Sequence, residues 1–171
     1  MDYYSFPTAR LENDFLALDY LTQAGPRIVR LIPRGLGQNL LAETPDARLP
    51  SPYGPMRLWG GHRLWHAPEM LARTYVPDDG GLSVERVADS VALRYDEAHT
   101  GIRKEMVVRL APHAPRVELV HRLTNTGLWP VELAPWAITM LRAGGVAVLP
   151  TPVDDPDGLL PNRLIALWPY S

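Results

Sequence analysis

Side chains able to do chemistry crowd into one stretch, Leu58-Trp59-Gly60-Gly61-His62-Arg63-Leu64-Trp65-His66-Ala67-Pro68-Glu69. Two of the five His and two of the five Trp of the 171-residue chain fall there, with an Arg, a Glu and a glycine pair. An imidazole can trade a proton near neutral pH. An indole offers a flat apolar face, and a guanidinium offers fixed donors for hydroxyl or carboxylate oxygens. Together they make the mixture found in small-ligand pockets. Pro68 blocks a regular helix, and the glycine pair favours a turn. The expectation is a ligand-facing loop carrying His62, Arg63 and Trp65, with His66 and Glu69 as further contacts. The bland alternative is a structural loop whose Trp fills the core and whose His caps a turn.

The spacing His62-x-x-x-His66 with Glu69 resembles three metal ligands along a helix. The glycine pair and Pro68 argue against that helix, so no metal is expected. Without a single Cys, thiolate ligands, disulfides and cysteine nucleophiles are excluded. Asp154, Asp155 and Asp157 lack a calcium-loop pattern and read as a solvated face. His99, His113 and His121 read as solvent-facing or as satisfied core histidines. Trp136, beside Pro135, is either core or the lining of a sugar-facing surface.

A formal net charge of -2 argues against a nucleic-acid footprint, which needs clustered basic surface. The basic residues are Arg, apart from the single Lys104. The first residues show no basic and apolar signal pattern. No apolar run approaches the roughly 18 residues of a membrane helix. The default expectation is a soluble cytoplasmic protein forming one domain over residues 1–171.

To hold such a site the chain needs a frame, and 18 Pro with 13 Gly favour short strands and turns over long helices. Residues 11–21 alternate, with Asn13-Asp14 as a turn, and residues 27–32 complete a hairpin. Residues 44–57 read as a long loop. Residues 71–76 read as a short strand closed by Pro77-Asp78-Asp79-Gly80-Gly81. Residues 82–87 and 90–96 read as strands, although Val84, Val87, Ala88, Val91 and Tyr95 also fit a helical stripe. In residues 102–110, Ile102, Met106, Val108 and Leu110 share a face with Lys104, the pattern of a half-buried strand. Residues 116–123, 131–141, 146–149 and 163–168 supply the remaining strand candidates. The fold class is therefore all-β, an antiparallel β-sandwich or barrel.

Three segments carry a resemblance. These are Glu12-Asn13-x-x-Leu16-x-Leu18 followed by Gly25-Pro26-Arg27-Ile28-x-x-Leu31, then Gly60-Gly61-His62-Arg63-Leu64-Trp65, then Arg116 to Leu119 with Leu123-Thr124-Asn125-Thr126-Gly127-Leu128-Trp129-Pro130-Val131. Together they resemble the galactose mutarotase-like (aldose epimerase) superfamily over about residues 11–150, nearest a bacterial branch of it. The resemblance implies a β-supersandwich that binds a sugar on a concave sheet face. It also implies metal-free, cofactor-free chemistry in which a Glu base takes the anomeric proton and a His acid protonates the ring oxygen. Ile138 occupies the place of that acid, so His62 or His66 would replace it. The family's Glu comes from a part of the domain that would lie beyond Ser171, so the sandwich is expected to be incomplete.

The expectation that follows is a carbohydrate-binding, mutarotase-like protein. Its catalytic candidates are His62 and His66, and its substrate-binding candidates are Arg63, Trp65, Glu69 and Trp136. An aldose 1-epimerase-like isomerase activity is left open. A reading of another class is a non-catalytic sandwich whose exposed strand edges pair with a second copy or with the missing half of the domain.

Overall fold

The structure, a computed structural model, describes residues 2–148, 150 and 164. Strand β1 (Asp2–Tyr3) returns on β2 (Phe6–Glu12), and Asn13 then turns the chain into β3 (Leu16–Leu21). The Asn13 side chain causes that turn. Its Oδ1 accepts from the Phe15 and Leu16 N–H groups at 2.9 and 2.8 Å, and its Nδ2 donates to the distant Ala111 carbonyl at 2.7 Å. A side-chain amide that mimics a backbone turn in this way is the usual work of Asn. β4 (Arg27–Pro33) completes the hairpin expected from the sequence.

Three stretches depart from their expected form. Residues 44–57 are mostly not loop: β5 (Glu43–Leu49) and β6 (Met56–Gly60) form a separate antiparallel pair. Pro45 sits where the register shifts between Thr44 and Arg48, a place a strand can tolerate a missing N–H. The focal stretch is likewise strand, the end of β6 followed by β7 (His62–Ala67). Between them Trp59, Gly60 and Gly61 take φ values of 61°, 83° and 66°. A Cβ on Gly60 would collide with the Ala42 carbonyl oxygen, and one on Gly61 with that of Ile28. The glycine pair thus marks a close backbone crossing where the chain passes from one sheet to the other, and the stretch expected as a loop is strand. The third departure is residues 71–76, where Leu71–Thr74 form a single helical turn, α1.

β8 (Ser83–Val87), β9 (Ser90–Glu97), β10 (Ile102–Leu110) and β11 (Val117–Asn125) form a meander, which settles the strand-or-helix ambiguity for residues 84–95. The stripe of Val84, Val87 and Val91 belongs to two strands joined at Ala88, which has φ 50°. β12 (Ala134–Thr139) is shorter than the expected 131–141. Residues 146–148 form no strand, and the expected strand over 163–168 lies, apart from Leu164, outside the described residues.

The sheets order as β1-β2-β3-β4-β7-β12 and β11-β10-β9-β8, all pairings antiparallel. Leu11, Leu18, Tyr20, Ile28 and Leu64 from the first sheet pack against Val91, Leu93, Met106, Val108 and Leu110 from the second. The fold is therefore an all-β antiparallel sandwich with alternate residues of each strand turned inward. Tyr3, Leu21, Ala24, Val29 and Trp59 form a second cluster, with Phe6 packed against it. Val29 neighbours the inward Ile28, so this cluster lies on the opposite face of the six-stranded sheet.

Candidate functional site

Because β7 is a strand, its chemistry divides between two faces. His62, Leu64 and His66 turn into the sandwich, while Arg63 and Trp65 turn to the opposite face. The six residues expected to share one pocket therefore form two groups.

Between the sheets, His62 Nδ1 lies 2.7 Å from Thr139 Oγ1 on β12, and its Nε2 lies 2.9 Å from His121 Nε2 on β11. One ring nitrogen of the imidazole pair must donate and the other accept, so at least the accepting ring is neutral and the two cannot both be protonated. Burial, then His121, Arg27 and Arg63, push the His62 pKa down to about 4. Burial also lowers that of His121. His62 thus joins the two sheets as a neutral bridge.

His66, at the other end of the strand, is fully buried and has its Nε2 3.5 Å from Glu97 Oε2. Glu97 also pairs with the Lys104 ammonium and accepts from Thr100 Oγ1 at 2.8 Å. Burial alone would raise the Glu97 pKa, but His66, Lys104 and Thr100 together hold it below the ordinary carboxylate value. The trio is enclosed: none of His66, Glu97 and Lys104 exceeds 3% exposure. Its geometry is that of a buried charge network that joins β7, β9 and β10.

On the opposite face, the Arg63 guanidinium stacks 4.1 Å from the Trp65 ring centre. Trp65 in turn meets Tyr75 edge-on at 5.0 Å and Trp136 at 5.7 Å. Cross-strand register puts Trp136 directly opposite Trp65, and Arg27 opposite Arg63, so all four side chains share this face. Arg27 is neutralised by Asp78 at 2.7 Å and donates to the Leu58 carbonyl at 2.8 Å. Arg63 has no carboxylate partner among the described residues; its Nη1 reaches only Met140 Sδ, at 3.4 Å. Burial first, and Arg27 second, push its pKa down to about 10. Its Nε and the Trp65 Nε1 are buried without a hydrogen-bond partner. Glu69 stands exposed at the rim, accepting from the Tyr75 hydroxyl.

Arg27, Asp78 and Tyr75 were not legible as site residues, since nothing local marks them. Lys104 left a signal that the sequence reading did not follow up: a lysine on the apolar face of β10 favours a buried acid, and Glu97 is one hairpin away opposite Ile102. His121 sits inward as alternation with Leu119 and Leu123 implies. Two open surface hollows, of about 390 and 400 Å³, lie elsewhere; Leu11, Asn13, Arg86 and Asp89 line the first, and Leu36, Asn39 and Arg142 the second. No group of three or more His, Cys, Asp or Glu that could hold a metal occurs among the described residues. None of the helices among those residues is long and apolar enough to cross a membrane. Searches of family models, curated proteins and solved structures each return no match for this chain.

Proposed function

We propose that this sandwich is a carbohydrate-binding protein of the mutarotase-like kind, with its sugar seat on the β7–β12 face formed by Arg63, Trp65 and Trp136. The supporting observation is the state of Arg63. Asp78 favours the Arg63 charge only from a distance, its direct ion pair being with Arg27. A buried guanidinium without a direct ion pair is unfavourable unless a polar partner arrives, and a polyhydroxylated ring is such a partner. Trp136, half-buried beside Trp65, supplies a flat face for the C–H side of a pyranose, and Glu69 with Tyr75 supplies polar atoms at the rim.

Aldose epimerisation would need an acid and a base within hydrogen-bond reach of the anomeric centre. His62 and His66 face the interior, away from this seat, so the proposal is one of recognition rather than turnover. The test is a titration of free hexoses, pentoses and uronates followed by tryptophan fluorescence, with anomer exchange read by NMR on the same samples. Saturable quenching in the parent, lost in Trp136→Ala while the fold is retained, is the expected result. No saturable response from any sugar, with the protein folded, overturns the reading.

A further inference from the structure

The outward face of the four-stranded sheet carries an alternating row of charge. Glu85 on β8 meets Arg94 on β9 at 2.7 Å, Arg94 meets Glu105 on β10, and Glu105 meets Arg122 on β11. There the row stops, because β11 is an edge strand with no strand bonded to its far side among the described residues. A second row runs from Asp89 to Arg109 at 3.3 Å and on to Glu118, which stands across the strand from Arg109 and pairs with Arg116 at 2.8 Å. One row ends on a cation and the other on an anion, two residues either side of Val120.

The edge itself is open to pairing. β11 runs nine residues without Pro or Lys, the residues that usually blunt an edge. Bonds from Ala111 N to Arg116 O and from Thr126 N to Gly101 O fix the β10–β11 ladder. By alternation, Val117, Leu119, His121, Leu123 and Asn125 turn their N–H and C=O groups to the free side. Val120 stands 54% exposed at the middle of the outward face.

We infer that β11 is the seam of a two-fold homodimer, in which it pairs antiparallel with β11 of a second copy about Val120. In that register Glu118 faces the second copy's Arg122, and Arg122 faces its Glu118. The two charge rows become one alternating ladder across an eight-stranded sheet. Glu118, Val120 and Arg122 are then the non-hydrogen-bonded positions, whose side chains approach most closely. A surface that is self-complementary in this way is what an isologous interface requires. No other register about the strand brings both row ends against opposite charge.

A chain with no cysteine makes the test clean. In a non-hydrogen-bonded antiparallel pair the Cα atoms stand about 4.5 Å apart, within disulfide reach. Val120→Cys should therefore form a covalent dimer under mild oxidation. Val87→Cys, an equally exposed position on the opposite edge strand, should link only slowly. Sedimentation of the parent should show a dimer that becomes monomeric in Val120→Lys, which sets two ammonium groups face to face, with the circular dichroism spectrum unchanged. A parent that sediments as a monomer at every concentration overturns the inference. So does a dimer that survives Val120→Lys, or a Val120→Cys that links no faster than Val87→Cys.

Discussion

Lowering the pH through the range below neutrality should weaken this protein through His62. In the unfolded chain its imidazole takes up a proton near pH 6.5, whereas in the folded sandwich it does so only near pH 4. Between those values the unfolded state binds more protons, so stability falls as pH falls. Above about 6.5 the contribution is whole, and below about 4 it is gone. The interval from 6.5 to about 4, at 1.36 kcal/mol for each pH unit, amounts to about 3 kcal/mol. About 2 kcal/mol of that is lost by pH 5, since the folded form is still largely neutral there. With His62 only 7% exposed, solvent screening removes little of it.

Urea denaturation at pH 7 and pH 5, on the parent and on His62→Asn, isolates the effect from the carboxylates, whose own losses lie mostly lower. The parent should lose about 2 kcal/mol more than the variant across that interval. Histidine C2–H resonances give the same quantity directly. Equal losses in both proteins, or a His62 resonance that titrates near 6.5, would refute the account of a neutral imidazole bridging the sheets.

Lys104→Met leaves Glu97 buried without its ammonium and should destabilise the fold by about 3–5 kcal/mol. Lys104→Met combined with Glu97→Gln should recover much of that loss in the same urea assay. Gly61→Ala places a methyl group against the Ile28 carbonyl in a backbone at φ 66°. It should lower stability by more than the roughly 1–2 kcal/mol of the left-handed conformation alone, read as a fall in the thermal midpoint.

Most of the frame was legible because alternation is a local signal. Residues 102–110 show it plainly, 11–21, 27–32 and 116–123 well enough to read, and the Asn13 turn announces itself, whereas 82–96 also fitted a helical stripe until the meander decided it. Residues 43–49 were not legible, because Pro45 sits in a bulge and the pairing to β6 is settled by the glycine crossing rather than by pattern. The same glycines misled the reading of the focal stretch. A pair at positive φ belongs to a loop or to a tight crossing of backbones, and only the neighbouring carbonyls of Ala42 and Ile28 decide between them. Once the stretch is a strand, period two separates His62 and His66 from Arg63 and Trp65. Partners such as Asp78 for Arg27, or Thr139 for His62, are long-range products of sheet order and leave no trace in spacing.

The chain's one lysine is Lys104, closed between the sheets against Glu97. Reagents aimed at primary amines therefore meet no accessible side-chain target on the native protein, and lysine-directed tethers or dyes will not decorate its surface. Acylation of Lys104 becomes instead a timer for opening of the sandwich, since the ε-amine reacts only in molecules whose two layers have parted.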